Sequence, residues 1–374
     1  MPEDHLEAGH VPRATRTLRL ACYLDAPRRG GSSTALATLL AALDQSIEVT
    51  VVGSSSDVVE QVAAARPGTA RRVLSAVRNK TDIGSMAEIV RTVRQLHPDV
   101  LHANLDSQWS AQYGLLAAVL TRTPVVAVVH SVWPQPHRVQ RMLIRRLARR
   151  VNVYVGVSGY TARSTEALLG LADGSVRVIY NGVPDPPSTL APPSGDGLVV
   201  GAVGRLSPEK GYHVLLEAMR DVPDGRLVLV GDGPQRAELE ALARDLGLEK
   251  RVTFAGWVDP PWAARWAFDV LVLPSFSEGF GLVVVEAMLA NVPVVATAVG
   301  AIPEIVAEGE TGLLVAPGDP AALAQGIKHV LGDATLRADF ARRARANASE
   351  RFTTAKMAAE FEKLYAELSA QRCQ

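Results

Sequence analysis

The sequence predicts an α/β protein of two doubly wound domains facing each other across a cleft. Short Val/Ile/Leu-rich runs alternate with helical stretches along most of the chain, the pattern of parallel sheets covered on both faces. A proline-rich segment at 184–197 interrupts the alternation once and reads as a linker. The length of 374 residues suits two domains, and 48% hydrophobic content is enough for two cores. The expected divisions are a polar tail at 1–17, a domain at 18–183, the linker, a second domain at 198–350 and a closing helix at 351–374.

In the first domain, Leu18–Leu24 and Ser46–Val52 read as strands. A Gly-rich loop at Arg28–Gly31 and a helix over Ala35–Leu43 lie between them. Further strands are expected at Val100–His102, Val125–His130, Val151–Val157 and Val176–Tyr180, with helices near 84–97, 107–121, 138–150 and 159–170. In the second domain the strands are Leu198–Val203, Arg226–Val230, Val252–Phe254, Val270–Leu273, Val294–Ala296 and Leu313–Val315. Helices fall near 210–220, 234–246, 282–290, 302–307 and 320–331, and the tail at 335–370 is helical and charged. Ligands of such sheets bind beyond the carboxyl ends of the strands, so informative residues should follow strands.

Composition narrows the field. Lys plus Arg and Asp plus Glu number 39 each, so the formal charge is zero and nucleic acid is not the expected partner. The two cysteines, Cys22 and Cys373, make neither a disulfide framework nor a thiolate zinc site, which points to a reducing compartment. No apolar run reaches the roughly 18 residues of a membrane span, and residues 1–17 carry no signal-peptide core. A cytoplasmic enzyme or binding protein is expected.

The strand ending at Val203 runs into Gly204-Arg205-Leu206-Ser207-Pro208-Glu209-Lys210-Gly211. Arg205 offers a planar fork for phosphate oxygens, Lys210 a point charge, and the following helix start adds free N–H groups. Gly30 and Gly31 in the first strand–helix loop would let backbone approach a ligand, although the loop has neither the dinucleotide fingerprint nor a Walker lysine. Gly231-Asp232-Gly233-Pro234 reads as a tight turn lining the cleft. The most specific stretch is Ser275-Phe276-Ser277-Glu278-Gly279-Phe280-Gly281, followed by Glu286 on the next helix. Carboxylates beside bared amides suit a polyhydroxylated ligand, whose hydroxyls both donate and accept. His102 and His130 are expected at strand ends facing the cleft mouth, where a histidine can meet a sugar hydroxyl or developing charge. His102 and Asn104 are candidates on the acceptor side. No Asp-x-Asp and no ligand-spaced His/Cys cluster occurs, so no metal is expected.

These motifs together resemble family 4 of the retaining glycosyltransferases, from about residue 18 to 365 and most specifically in the C-terminal half. The resemblance implies two Rossmann-like domains in the GT-B architecture, with the last helix crossing back onto the N-terminal domain. It implies that Arg205 and Lys210 hold the donor diphosphate, Glu278 the donor sugar hydroxyls and Glu286 the ribose diol. The amides of Gly279, Phe280 and Gly281 would complete the sugar site, with Gly30 and Gly31 approaching the diphosphate from the other domain. His130 would sit beside the transferring sugar, and Gly256-Trp257-Val258 would edge the nucleobase. Asn291 and Ala301 stand where the family usually has glycine, and Pro184 interrupts the usual Asn-Gly-Val-Asp.

A UDP-sugar is the expected donor, uridine being the commonest donor base of the resembled family, and a hydroxyl compound the acceptor. The reaction is expected to retain configuration by front-face attack without a metal. The alternatives are a catalytically silent sugar-nucleotide-binding subunit or an epimerase on the same architecture; the phosphate-ready loop argues against a hydrolase. The segment His137–Arg150 reads as a basic amphipathic helix, suited either to weak peripheral contact with the inner membrane face or to a solvated face over the sheet.

Overall fold

A computed structural model describes residues 17–77, 82–133, 138–186, 197–258 and 268–372. The polar tail to residue 16, most of the linker, His137 and Cys373 lie outside the described residues.

The N-terminal half holds β1 (Arg19–Leu24), α1 (Gly31–Ala42), β2 (Glu48–Gly53), α2 (Ser56–Ala64), β3 (Ala70–Val73), α3 (Ile83–Leu96), β4 (Val100–Leu105), α4 (Gln112–Thr121), β5 (Val125–Val129), α5 (Arg138–Ala148), β6 (Val153–Gly156), α6 (Gly159–Leu169) and β7 (Arg177–Val178). The strands form one parallel sheet in the order β3-β2-β1-β4-β5-β6-β7.

The C-terminal half holds β8 (Leu198–Val203), a short 3₁₀ turn at Pro208–Lys210, α7 (Tyr212–Met219), β9 (Gly225–Val230), α8 (Arg236–Asp245), β10 (Val252–Gly256), β11 (Val270–Leu273), α9 (Leu282–Leu289), β12 (Val294–Thr297), α10 (Ile302–Ile305), β13 (Leu313–Val315), α11 (Pro320–Gly332), α12 (Ala334–Arg351) and α13 (Thr354–Arg372). Its sheet is also parallel, in the order β10-β9-β8-β11-β12-β13. In each sheet the order reverses at the middle, between β1 and β4 and between β8 and β11. Two doubly wound sheets thus place two switch-point crevices at the domain boundary.

Strand cores such as Val125–Val129 and Val270–Leu273 are buried on both faces, as their unbroken apolar runs require. Three expectations need correction. The stretch 54–82 carries α2 and β3, which the apolar pattern did not reveal; all four residues of β3 are exposed, so its sequence lacks a buried-strand signal. β4 continues to Leu105 through His102 and Asn104, so His102 is mid-strand rather than strand-end. The helix expected at 107–121 starts at Gln112, because Ala111 adopts a left-handed conformation at φ 53°.

The chain crosses between the domains twice, side by side. Val183 N–H donates to the Phe352 carbonyl at 2.9 Å, and Val183 pairs with Thr353 in a parallel bridge. A Cβ on Gly182 would lie 2.6 Å from the Thr354 Cα, so the two passes touch through backbone. Beyond this point α13 lies on the N-terminal domain, against α1 and β4. The apolar core is continuous through the boundary, joining Leu36 and Val128 of one domain to Phe280 and Val285 of the other.

Candidate active site

The loop after β8 owes its shape to glycine. Gly204 has φ 153° and Gly231 has φ 136°, and a Cβ on Gly231 would meet the Gly204 carbonyl at 1.9 Å. The Gly231–Gly233 turn therefore packs directly under the Gly204–Leu206 backbone, and Leu206 N–H donates to the Asp232 carbonyl at 3.0 Å. Gly211, at φ 66°, passes so close to Pro274 that a Cβ would sit 2.2 Å from its carbonyl oxygen. This close approach seats the β8 loop against the β11 loop and brings Lys210 to Glu278.

Lys210 Nζ donates to Glu278 Oε1 at 2.6 Å, and Ser275 Oγ donates to the same oxygen at 2.7 Å. Glu278 is buried, so a paired carboxylate is the state expected there. Arg205 is exposed on the same loop, with its guanidinium free of ion pairs among the described residues. One side of the crevice thus carries an exposed cation, a paired cation and a buried carboxylate.

At Gly279 the domains meet through backbone. A Cβ there would lie 1.9 Å from the His130 carbonyl oxygen, and Ser158 Oγ donates to the Gly279 carbonyl at 2.7 Å. Gly281, at φ 96°, starts α9. Gly31 faces the same helix start: a Cβ on it would meet the Leu282 side chain at 3.8 Å, whereas one on Gly30 would meet nothing within 4 Å. Phe280 turns its side chain away from the cleft. Its ring is buried against Tyr180 and Phe352, at centroid distances of 6.2 and 5.6 Å, leaving only its backbone for a ligand. Glu286 lies half-buried on α9, and Val258 half-buried just past β10.

His130 follows β5 by one residue. Its Nε2 lies 2.8 Å from Asn104 Oδ1, while Asn104 Nδ2 donates to the Ser32 carbonyl at 3.3 Å. Burial lowers the His130 pKa to about 3, with the neighbouring His102 adding to the effect, so the ring is neutral at pH 7. His102 does not face the cleft. It is buried beneath α13, its Nδ1 2.7 Å from Tyr365 Oη and its ring 5.5 Å from that of Phe361. Asn104 is likewise buried and bonded to His130 rather than presented to an acceptor.

Sequence reasoning missed several residues that the fold brings here. Asp25 and Asp106 each stand one residue past a strand, the placing that drew attention to His130. Asp25 accepts from Ala111 N–H at 2.7 Å; burial, with Asp106 adding to it, raises its pKa to about 6. The Ser32 hydroxyl donates to Asp106 Oδ1. Across the boundary, Glu304 of α10 accepts from Gly159 N–H at 2.8 Å and Tyr160 N–H at 2.6 Å. A carboxylate from one domain thus caps the N-terminus of α6 in the other. Among the described residues no three His, Cys, Asp or Glu side chains are grouped to hold a metal ion, and no helix is long and apolar enough to cross a membrane.

Two facing doubly wound domains whose switch points meet over a cationic loop and a buried carboxylate constitute the GT-B architecture. The sequence pattern described as glycosyl transferases group 1 matches residues 191–347, and that described as glycosyltransferase family 4 matches residues 29–185. The chain belongs to the family 4 glycosyltransferases. It is 34% identical to the 2-deoxystreptamine glucosyltransferase of Streptomyces kanamyceticus over 280 residues, covering 67% of this chain and 72% of that one. It is 30% identical to the D-inositol 3-phosphate glycosyltransferase of Corynebacterium efficiens, covering 87% and 84%. Among solved structures, Anabaena HepE in complex with UDP and glucose superposes with a TM-score of 0.82 at 26% identity, covering 94% of this chain and all of that one.

Proposed function

We propose that this glycosyltransferase moves a sugar from a UDP-sugar to a ring hydroxyl with retention of anomeric configuration and without a metal ion. The observation that carries the reading is the Arg205/Lys210 loop set against Glu278 at the domain boundary. The two cations would offset charge on the departing diphosphate, and Glu278 and the Gly279–Gly281 amides would hold sugar hydroxyls. The acceptor oxygen attacks the anomeric carbon from the face the diphosphate leaves. As the bond from that carbon to the phosphate oxygen breaks, the departing oxygen takes the acceptor proton. His130, neutral and beside Gly279, lies next to the transferring sugar and stays unprotonated through the step.

UDP as the donor base is supported by the HepE complexes with UDP and with UDP-glucose. A cyclitol as acceptor is supported by the relatives named for 2-deoxystreptamine and D-inositol 3-phosphate. The test is incubation with UDP-glucose and either cyclitol, with and without a chelator, followed by NMR of the product. An α-linked glucoside formed equally with chelator is expected; a β-linked product or metal-dependent turnover contradicts the reading.

Weak membrane contact is supported by α5, whose apolar stripe faces solvent, Val139 being 68%, Met142 64% and Leu143 58% exposed. Arg138, Arg146, Arg149 and Arg150 flank it, also exposed. Co-flotation with anionic but not neutral vesicles, lost on Met142→Asp, is the expected result.

A further inference from the structure

We infer that Asn104 is the positioning residue for His130, fixing Nε2 as its protonated nitrogen. The inference rests on the transferase reading, in which His130 lies beside the sugar.

A neutral imidazole has one donor nitrogen and one acceptor nitrogen, and its partner decides which is which. Asn104 is oriented by its second contact: its amide donates to the Ser32 carbonyl, so its oxygen turns toward His130 and can only accept. The proton therefore sits on Nε2, and Nδ1 keeps its lone pair. A ring in this form accepts a hydrogen bond from a sugar hydroxyl; the other tautomer would donate one. The choice matters because the same hydroxyl would have to reverse its own role.

The support behind Asn104 is rigid. It lies within β4, in register with Leu24 of β1 and Val128 of β5. His102, two residues earlier on the same face, is in register with Cys22 and Val126. Phe361 and Tyr365 close over His102, and Tyr365 Oη bonds its Nδ1. Tyr365 is fully buried, so it cannot turn away. Tyr365 thus anchors His102, whose Nε2 is buried without a hydrogen-bond partner among the described residues, while Asn104 alone bonds the His130 ring. His102 adds to the burial that keeps the His130 ring neutral. The last helix thereby packs against β4, the strand that carries Asn104.

The experiment is long-range proton–nitrogen NMR of the ¹⁵N-histidine-labelled protein, with UDP calorimetry and steady-state kinetics on the same samples. In the wild type, His130 is expected as the single Nε2–H tautomer at pH 7. Asn104→Ala is expected to give mixed tautomers and to lower kcat about 10- to 100-fold with the donor KM little changed. Tyr365→Phe, which removes only the hydroxyl, is expected to shift the His102 signals and to leave the His130 tautomer and UDP affinity unchanged. A wild-type Nδ1–H or mixed tautomer overturns the inference even if Asn104→Ala does not fold, and so does an Asn104→Ala protein with unchanged His130 signals. Absence of UDP binding or transfer in the wild type would instead overturn the transferase reading, whatever tautomer His130 shows.

Discussion

Arg205 and Lys210 read alike in the sequence, yet the fold gives them different surroundings, and their variants should separate accordingly. Lys210 neutralises a buried carboxylate, so Lys210→Ala leaves Glu278 without its cation and is expected to lower stability by about 1–3 kcal/mol as well as activity. Arg205 is exposed and holds no ion pair among the described residues, so Arg205→Ala should leave the melting temperature unchanged. Its kcat/KM should still fall about 100- to 1000-fold, the usual loss on removing one donor to developing charge. Thermal melts and kinetics on both variants check this contrast. Asp25 supports a pH prediction. Its folded pKa of about 6 stands above the usual 3.8, so ionisation disfavours the folded state, a cost absent below pH 4 and complete above about pH 6. Two pKa units correspond to roughly 3 kcal/mol. Asp25→Asn, which can still accept from Ala111 N–H, should therefore stabilise the protein at pH 8 and leave it unchanged at pH 4. Equal effects at both pH values in chemical denaturation would contradict the assignment.

At the scale of elements, the loops after β8 and β11 and the glycines within them are the sensitive parts. Gly279→Ala would drive a Cβ into the His130 carbonyl, so it should separate the domains at the cleft and abolish nucleotide binding while each sheet still folds. Small-angle scattering and calorimetry read the two effects separately. Glu304→Gln removes the charge that caps α6 from across the boundary and is expected to cost about 1 kcal/mol and to loosen closure. These elements differ in how much the sequence revealed. The strands that bury both faces were legible because their apolar runs are unbroken. β3 was not, since it lies at a sheet edge with every residue exposed, and β4 was cut short because His102 and Asn104 interrupt its apolar run. The two departures from family glycines also resolve at this scale. Asn291 takes φ 57°, which asparagine tolerates after a helix, and Ala301 lies in the right-handed region. The strained position is Gly300, whose Cβ would meet the Glu278 carbonyl at 1.9 Å.

Over the whole molecule, the two domains share a core and are tied by paired chain crossings at Gly182–Val183 and Phe352–Thr353. Tyr180, Phe280 and Phe352 pack at these crossings, joining the sugar-side loop to the place where the chain passes between domains. Motion about the crossings would reach Gly279 directly, the expected coupling for an enzyme that closes on its donor. The donor side of the cleft was readable from sequence because its chemistry is local, carried by residues a few positions apart on single loops. The other side was not. His130 meets Asn104, and His102 meets Tyr365, at distances that only the folded chain sets, and Asp25 and Glu304 gain their roles from contacts with distant backbone N–H groups. The central claim is that Arg205 and Lys210 hold a nucleotide diphosphate, and calorimetric titration with UDP, GDP and ADP, no metal added, tests it most directly. Micromolar binding of UDP, lost in Arg205→Ala, is the predicted result; no binding of any of the three, or equal binding by the variant, would contradict it.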